Sequence, residues 1–475
     1  MNHHPAVLKK NKVECYKFNI GRDLSRSLFL KDTMNKKVAL HTLGCKLNFS
    51  ETSTIGDQFC SRGYEIVGFK EKADIYILNT CTVTEHADRE CRQLVRRALR
   101  QNPDAFMIVT GCYAQLSPDE LSKIEGVDVI LGTNEKLKLF SILDNFEKKN
   151  LACIYVSPVD QTSEFGFSHS TDSDNRTRAF FKIQDGCDYK CSFCTIPLAR
   201  GSSRSMEPDN VIEEFKLLVK HGYKEIILTG VNVGDYGKSL TSSFYDLLNR
   251  MVDINGKFRI RISSIEPNLL SDEIIHLASQ DEKMCKHFHI PLQSGSPDIL
   301  RLMQRRYTAE YYSELIHKIK DVNQEFGIGA DVITGFPGET DDNFQTTYNF
   351  LKDLPVSYLH VFTYSERPNT KAVSMGGSVN IMERKRRTNM LRLLSDRKKN
   401  IFYESMIGSE LNVLFESVND EGKIKGFSSN YVRVSHTFNP LLGNKFASVK
   451  IIKVNNFLCE GEIPENKKSF DLIAC

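Results

Sequence analysis

Three cysteines within eight residues, Cys187, Cys191 and Cys194, are the tightest chemical signal in this 475-residue chain. Their C-x3-C-x2-C spacing sets three thiolates on one short loop, enough to hold three irons of a [4Fe–4S] cluster. The fourth iron is then open to chelate a small molecule, so the three residues are candidate metal ligands and the candidate catalytic centre. Structural zinc competes for the same thiols, but it wants four ligands. The nearest histidines, His169 and His221, stand well away from the loop in sequence.

A second set is spread more widely. Cys45, Cys81 and Cys112 each follow an apolar run: Val38 to Leu40, Ile75 to Leu78, and Phe106 to Val109. Each run reads as a strand, and the amphipathic stretches between them give the rhythm of a parallel sheet. Strand carboxyl ends share one edge of such a sheet, where ligands bind, so the three thiols should converge there. Any one of them alone reads first as a small buried hydrophobe. Their recurrence beside Gly44, Asn79-Thr80 and Gly111 favours ligation, because glycine lets the backbone approach a bulky group. Cys15, Cys60, Cys91, Cys153, Cys285, Cys459 and Cys475 show no ligand spacing and read as packing or surface thiols.

The expected fold class is α/β with three parts. Residues 36–150 form an N-terminal open parallel-sheet domain and 151–178 a linker rich in Ser, Thr and Asp. In 179–405, predicted strands at Phe180–Gln184, Glu225–Thr229, Arg259–Ser263, His287–Pro291, Gly329–Ile333 and Tyr358–Phe362 alternate with helices, which suggests a partial (β/α)6 barrel. That part closes with a basic helix, Met382 to Met406. From 406 to 475, short strands at Leu411–Phe415, Tyr431–Val434 and Ala447–Val454 suggest a small all-β barrel of the kind that binds oligonucleotides. Residues 1–35 read as a disordered or misassigned extension, with translation starting at Met34, in preference to a transit peptide.

Composition sets the outer limits. With 40% hydrophobic and 26% charged residues, the chain reads as globular. No stretch reaches the roughly 18 apolar residues of a spanning helix, so no membrane is expected. The 13 cysteines are odd in number and lack a secretory leader, which points away from disulfides and toward a reducing compartment, hence the cytoplasm. A net charge of +3 confines any nucleic-acid contact to local basic patches.

Barrel geometry nominates further ligands at or just past the predicted strand ends: Gly230, Asn232, Ser263, Glu266, Gln293 and Gly335. Gly230 and Gly335 serve equally as turn glycines, and Glu266, ahead of Pro267, as a helix-entry residue. Arg89, Arg92, Arg96 and Arg100 recur at helical spacing close behind Cys81, so they read as a phosphate-facing stripe or as solvated surface. Lys423, Lys425 and Arg433, interleaved with Phe427 and Tyr431, suit phosphate contact with base stacking; the plainer reading has the aromatics filling a core.

The loop Gly186-Cys187-Asp188-Tyr189-Lys190-Cys191-Ser192-Phe193-Cys194, with an aromatic residue just before its last cysteine, resembles the radical S-adenosylmethionine (SAM) superfamily. With Thr42 to Asn48 (TLGCKLN), Asn79 to Val83 (NTCTV), Gly111 to Gln115 (GCYAQ), Ile196-Pro197 and Arg200-Gly201, residues 38 to about 465 look like the methylthiotransferase family. The resemblance implies a radical SAM barrel ending in an RNA-binding barrel of the TRAM type. It implies two [4Fe–4S] clusters, an auxiliary one on Cys45, Cys81 and Cys112 and a SAM-binding one on Cys187, Cys191 and Cys194, with Phe193 beside the cofactor. One SAM would methylate sulfur at the auxiliary cluster; a second would be cleaved to the radical that activates C2 of adenine. Thr82 to Gln93, Leu228 to Asn232 and Ile262 to Pro267 look most like the branch that acts on N6-threonylcarbamoyladenosine at tRNA position 37. The sister targets are isopentenyladenosine in tRNA and an aspartate of a ribosomal protein; a different class altogether is a non-catalytic iron–sulfur RNA-binding protein. Expected partners are tRNA and an electron donor such as flavodoxin or ferredoxin, with the chain acting as a monomer.

Overall fold

The computed structural model describes residues 36–82, 85–161, 165–170 and 177–464. The expected extension 1–35, linker residues 171–176, Cys15 and Cys475 lie outside the described residues. Two compact units form. The first lies within 1–174 and includes 180–189 and 194–203; the second comprises 175–179, 190–193 and 204–475.

In the first unit, strands β1 (Lys37–Thr42), β2 (Glu65–Val67), β3 (Ile75–Thr80), β4 (Phe106–Gly111), β5 (Val129–Leu131) and β6 (Cys153–Tyr155) make a parallel sheet in the order β2-β1-β3-β4-β5-β6. β3 and β4 are buried at every position, as strands covered on both faces must be. Alternation splits them between two cores. Ile75, Ile77, Phe106 and Ile108 pack with Ile55 and Phe59 of helix α1 (Lys46–Cys60). Tyr76, Leu78, Met107 and Val109 pack with Cys91, Leu94, Val95 and Ala98 of helix α2 (Glu85–Gln101). Helices therefore cover both faces. The chain leaves β1 toward β2 on one side and returns to β3 on the other, so the topological switch point lies between β1 and β3. In open α/β sheets the ligand crevice opens at that point, outside the strand carboxyl ends.

In the second unit the backbone N–H groups of Lys224 and Glu225 donate to the carbonyl of Thr177. The strand of Glu225–Thr229 pairs in parallel with Arg259–Ile262. His287–His289, Gly327–Thr334 and Tyr358–Thr363 form a second parallel set, with a single bridge, Ile260 to Met284, leading toward it. Helices such as Pro208–Lys220, Phe244–Val252, Ala309–Val322, Asp341–Asp353 and the long Ile381–Glu404 alternate with these strands. No helix among the described residues is long and apolar enough to cross a membrane.

The C-terminal strands Glu410–Asp420, Lys423–Ser428, Arg433–Thr437, Leu458–Glu462 and Phe446–Asn455 close into a barrel in that order. Two of these strands, Lys423–Ser428 and Leu458–Glu462, are absent from the sequence expectation, and the bounds of the other three shift. Tyr431 has φ +70 and sits in the turn before Arg433–Thr437 rather than opening that strand. In the strand Lys423–Ser428, Gly426 faces the Leu414 carbonyl so closely that an added Cβ would lie 2.3 Å from it.

Candidate functional site

The first three thiols sit where the switch point puts them. β1, β3 and β4 are neighbours, Cys81 directly follows β3, and Cys112 opens the short helix α3 (Cys112–Leu116) directly after β4. Gly44 has φ +102, and a Cβ there would stand 2.6 Å from the Cys81 Cβ and 2.9 Å from its Sγ. At Gly111, φ +99, a Cβ would come within 2.3 Å of the Thr80 carbonyl oxygen. Only glycine allows the three cysteine loops to close on one another this tightly. Two amides lock the approach: Asn48 Nδ2 donates to the carbonyls of Leu43 (2.9 Å) and Thr80 (3.0 Å), and Asn79 Nδ2 donates to the Asn48 carbonyl (2.9 Å).

Cys45 is exposed, whereas Cys81 and Cys112 are buried, and none of the three is in a disulfide. Burial pushes the Cys112 thiol up, while the Arg200 and Lys136 cations pull it down. Three soft donors at one sheet edge, a glycine cradle and nearby positive charge are what an iron–sulfur cluster requires of its ligands, so the residues fit that group.

The second cysteine loop is pinned at both arms. Gly186 has φ +71, and a Cβ there would lie 2.0 Å from the Ser202 carbonyl oxygen; the Cys187 N–H donates to the Gly201 carbonyl at 3.0 Å. Toward the other arm, Ser192 donates from N to the Met303 carbonyl (3.1 Å) and from Oγ to the Leu302 carbonyl (2.7 Å). Cys187, Cys191 and Cys194 are all half-buried. Phe193 meets Phe336 edge-on at 6.3 Å. Arg305 Nη1 donates to Cys191 Sγ at 3.1 Å, Nε donates to the Tyr307 hydroxyl at 3.1 Å, and Nη2 is ion-paired with Glu266. Burial raises the Cys191 thiol, and Arg305 opposes that shift. Glu266 is thus brought to the cysteine loop through a cation that the sequence offered no spacing to find.

The other strand-end candidates separate. Ser263 is buried with no hydrogen-bond partner for its Oγ among the described residues, and the same holds for Thr229, the last residue of its strand and one the sequence reading passed over. Two buried hydroxyls at neighbouring strand ends suit a polar cofactor. Asn232 is also buried, in the turn that Gly230 opens after Thr229. Gln293, with φ +71, is tied by its backbone to Asp331 and Ile333. Gly335, with φ +75, has a packing reason to be glycine: a Cβ would fall 2.2 Å from Arg384 Cγ. The sequence reading also missed a cluster on three adjacent strands, in which His289 Nε2 and Asp331 Oδ1 are 2.8 Å apart and His360 Nδ1 is 3.4 Å from the same oxygen.

Among the nominated cations, Arg89, Arg96 and Arg100 are exposed on α2, while Arg92 donates to the hydroxyl of Tyr113, the neighbour of Cys112. The C-terminal set is committed elsewhere. Lys423 pairs with Glu460 at 2.8 Å, Lys425 with Asp420, and Arg433 with Glu416 at 2.7 Å. The Phe427 ring stacks on Tyr431 at 4.8 Å with the Arg433 guanidinium 4.5 Å above it, and Tyr431 packs 4.7 Å from His287. Each cation that the sequence reading set against phosphate thus has a carboxylate beside it, and the two rings stack on one another. In the basic helix, Arg384 and Arg387 are likewise buried, Arg384 paired with Glu366 and Arg387 with Glu339.

Comparison with known proteins agrees with this geometry. Residues 181–351 match the Radical SAM superfamily, and 37–132 match the Uncharacterized protein family UPF0004. The chain is 39% identical to the threonylcarbamoyladenosine tRNA methylthiotransferase MtaB of Bacillus subtilis, over 90% of this chain and 96% of that protein. It is 39% identical to the Aquifex aeolicus MtaB, over 84% and 96%. The tRNA-2-methylthio-N(6)-dimethylallyladenosine synthase of Clostridium novyi is 34% identical over 91% and 98%. Among solved structures, the radical SAM methyltransferase TsrM of Kitasatospora setae superposes with a TM-score of 0.51 at 16% identity, over 72% of this chain and 77% of that one, a likeness of fold.

Proposed function

The chain belongs to the radical SAM tRNA methylthiotransferases, and from this we propose that it converts N6-threonylcarbamoyladenosine in tRNA to its 2-methylthio derivative. The observation that carries the reading is the gathering of Cys45, Cys81 and Cys112 at the switch point of a sheet whose compact unit also holds Cys187 and Cys194. The 39% identity to the Bacillus subtilis and Aquifex aeolicus threonylcarbamoyladenosine enzymes, against 34% to the Clostridium novyi dimethylallyladenosine enzyme, favours the first substrate.

In this reading Cys187, Cys191 and Cys194 hold the SAM-binding cluster, and Cys45, Cys81 and Cys112 an auxiliary one. When bound, SAM and the two clusters would supply the radical, the methyl group and the sulfur. The protein's own part is ligation and placement. Arg305 holds Cys191 and Glu266 together, Phe193 closes the loop against Phe336, and the Thr229 and Ser263 hydroxyls offer hydrogen bonds to the cofactor, with Gly230 and Asn232 shaping the turn after Thr229 and Gln293 and Gly335 the ends of two further strands. The N-terminal, barrel and TRAM-like divisions expected from the sequence remain our assignment. So do action as a monomer in the cytoplasm and reduction by a flavodoxin or ferredoxin.

The test is substrate choice in vitro. Anaerobically reconstituted protein, given SAM and dithionite, should methylthiolate tRNA carrying N6-threonylcarbamoyladenosine roughly a hundredfold faster than tRNA carrying the isopentenyl nucleoside, because a site built for polar groups rejects an apolar analogue strongly. The reverse preference would move the chain to the sister branch.

A further inference from the structure

The first compact unit buries a group of charges that no ligand role uses. Glu51 accepts from Arg200 at 3.0 and 3.3 Å, is ion-paired with Lys136 at 2.7 Å, and lies 3.4 Å from Lys182. Arg200 also donates to Asp185 Oδ1 at 3.0 Å and to Asn48 Oδ1 at 2.6 Å, and Lys182 is 3.3 Å from Asp185. Each of the five charged side chains is at most 2% exposed. Three cations against two carboxylates leave one net positive charge out of water. Such a group is expensive to bury and is weak evidence of a purely stabilising role, since well-packed apolar residues generally do as well.

Its placement suggests what it is for. Asn48 and Glu51 lie on α1 just past Cys45. Asp185 stands two residues before Cys187 and donates nothing itself, accepting instead from the Gly186 N–H at 2.8 Å. Arg200 ends the short helix α4 (Ile196–Arg200) that follows Cys194, and α4 packs against α3, which Cys112 opens. The Thr133 hydroxyl ties the same turn down by donating to the Ala199 carbonyl at 2.7 Å. A single guanidinium therefore bridges residues flanking both cysteine sets, at the end of a helix packed against the one that Cys112 opens.

Resting on the reading that Cys45, Cys81 and Cys112 ligate iron, we propose that Arg200, gripped by Glu51 and Asp185, is a positioning residue that fixes the two cysteine loops together and raises the reduction potential of the N-terminal cluster. A fixed positive charge favours the reduced, more negative state of a cluster. Neutralising Glu51 leaves that charge less compensated, so the two substitutions must act in opposite directions. A residue that merely holds the fold has no reason to produce that sign reversal.

The experiment is an EPR-monitored redox titration of the anaerobically reconstituted full chain, with iron counted in every sample. Arg200→Gln should change the reduced-to-oxidised ratio of the N-terminal cluster at fixed potential at least roughly tenfold toward oxidised, a fall of about 59 mV for a one-electron couple. Glu51→Gln should shift it the other way, and Arg200→Lys, which keeps the charge but loses the fork, should fall between Arg200→Gln and the unsubstituted protein. Where Arg200→Gln fails to keep iron, Glu51→Gln decides by its sign. Unchanged potentials with about eight irons per chain would overturn this proposal and leave the cluster reading standing. About four irons in the unsubstituted protein would overturn the cluster reading and this proposal with it.

Discussion

Replacing Cys187, Cys191 and Cys194 together with Ala should abolish 5′-deoxyadenosine formation from SAM, by roughly a thousandfold or more, because ligands that act as a unit fail as a unit. Iron should fall from about eight to about four per chain, since the other three thiols lie on a separate sheet edge. The remaining cluster should keep its own EPR signal. The pinned arms of the loop make a clean result expected: Gly186, Cys187 and Gly201 are held by backbone contacts, and Ser192 by its bonds to Leu302 and Met303, none of which uses sulfur. Continued SAM cleavage, or zinc in place of iron after anaerobic preparation, would contradict the assignment.

The converse variant, with Cys45, Cys81 and Cys112 changed to Ala, should separate the two halves of the chemistry. SAM cleavage under dithionite should persist within about one order of magnitude, while methylthiolated tRNA should fall by roughly a thousandfold, because that product alone needs the second set of thiols. Each Cys→Ala change removes one sulfur from a site already lined by Gly44, Asn79 and Gly111, so the loops lose ligands without gaining bulk. Measuring 5′-deoxyadenosine and modified nucleoside in the same sample checks it. Unreduced methylthio transfer would remove the auxiliary role from these cysteines.

How much of this was legible in the sequence depended on how local its cause was. Ile75–Thr80 and Phe106–Gly111 announce themselves because strands buried on both faces read as continuous apolar runs, and each ends at its cysteine. Glu65–Val67, Val129–Leu131 and Cys153–Tyr155 are three residues each, too short to carry periodicity, and went unseen. Lys423–Ser428 also went unseen: it carries Gly426 where the close approach of Leu414 leaves no room for a side chain. The cysteine ligands were legible because thiol spacing is chemistry on the chain itself. Arg305 and the Arg200–Glu51 pair were not, since Arg200 and Glu51 are 149 residues apart and meet only after the sheet has formed. The basic residues of the C-terminal barrel show the same limit. Lys423, Lys425 and Arg433 look cationic along the chain, but folding sets a carboxylate beside each.

The most direct test of the central claim is mass spectrometry of tRNA nucleosides from a strain lacking this gene and from the same strain with the gene restored. Loss of 2-methylthio-N6-threonylcarbamoyladenosine, with N6-threonylcarbamoyladenosine retained and the methylthio form returning on restoration, is the predicted result. Persistence of that nucleoside, with loss of the isopentenyl analogue or of neither, would contradict it.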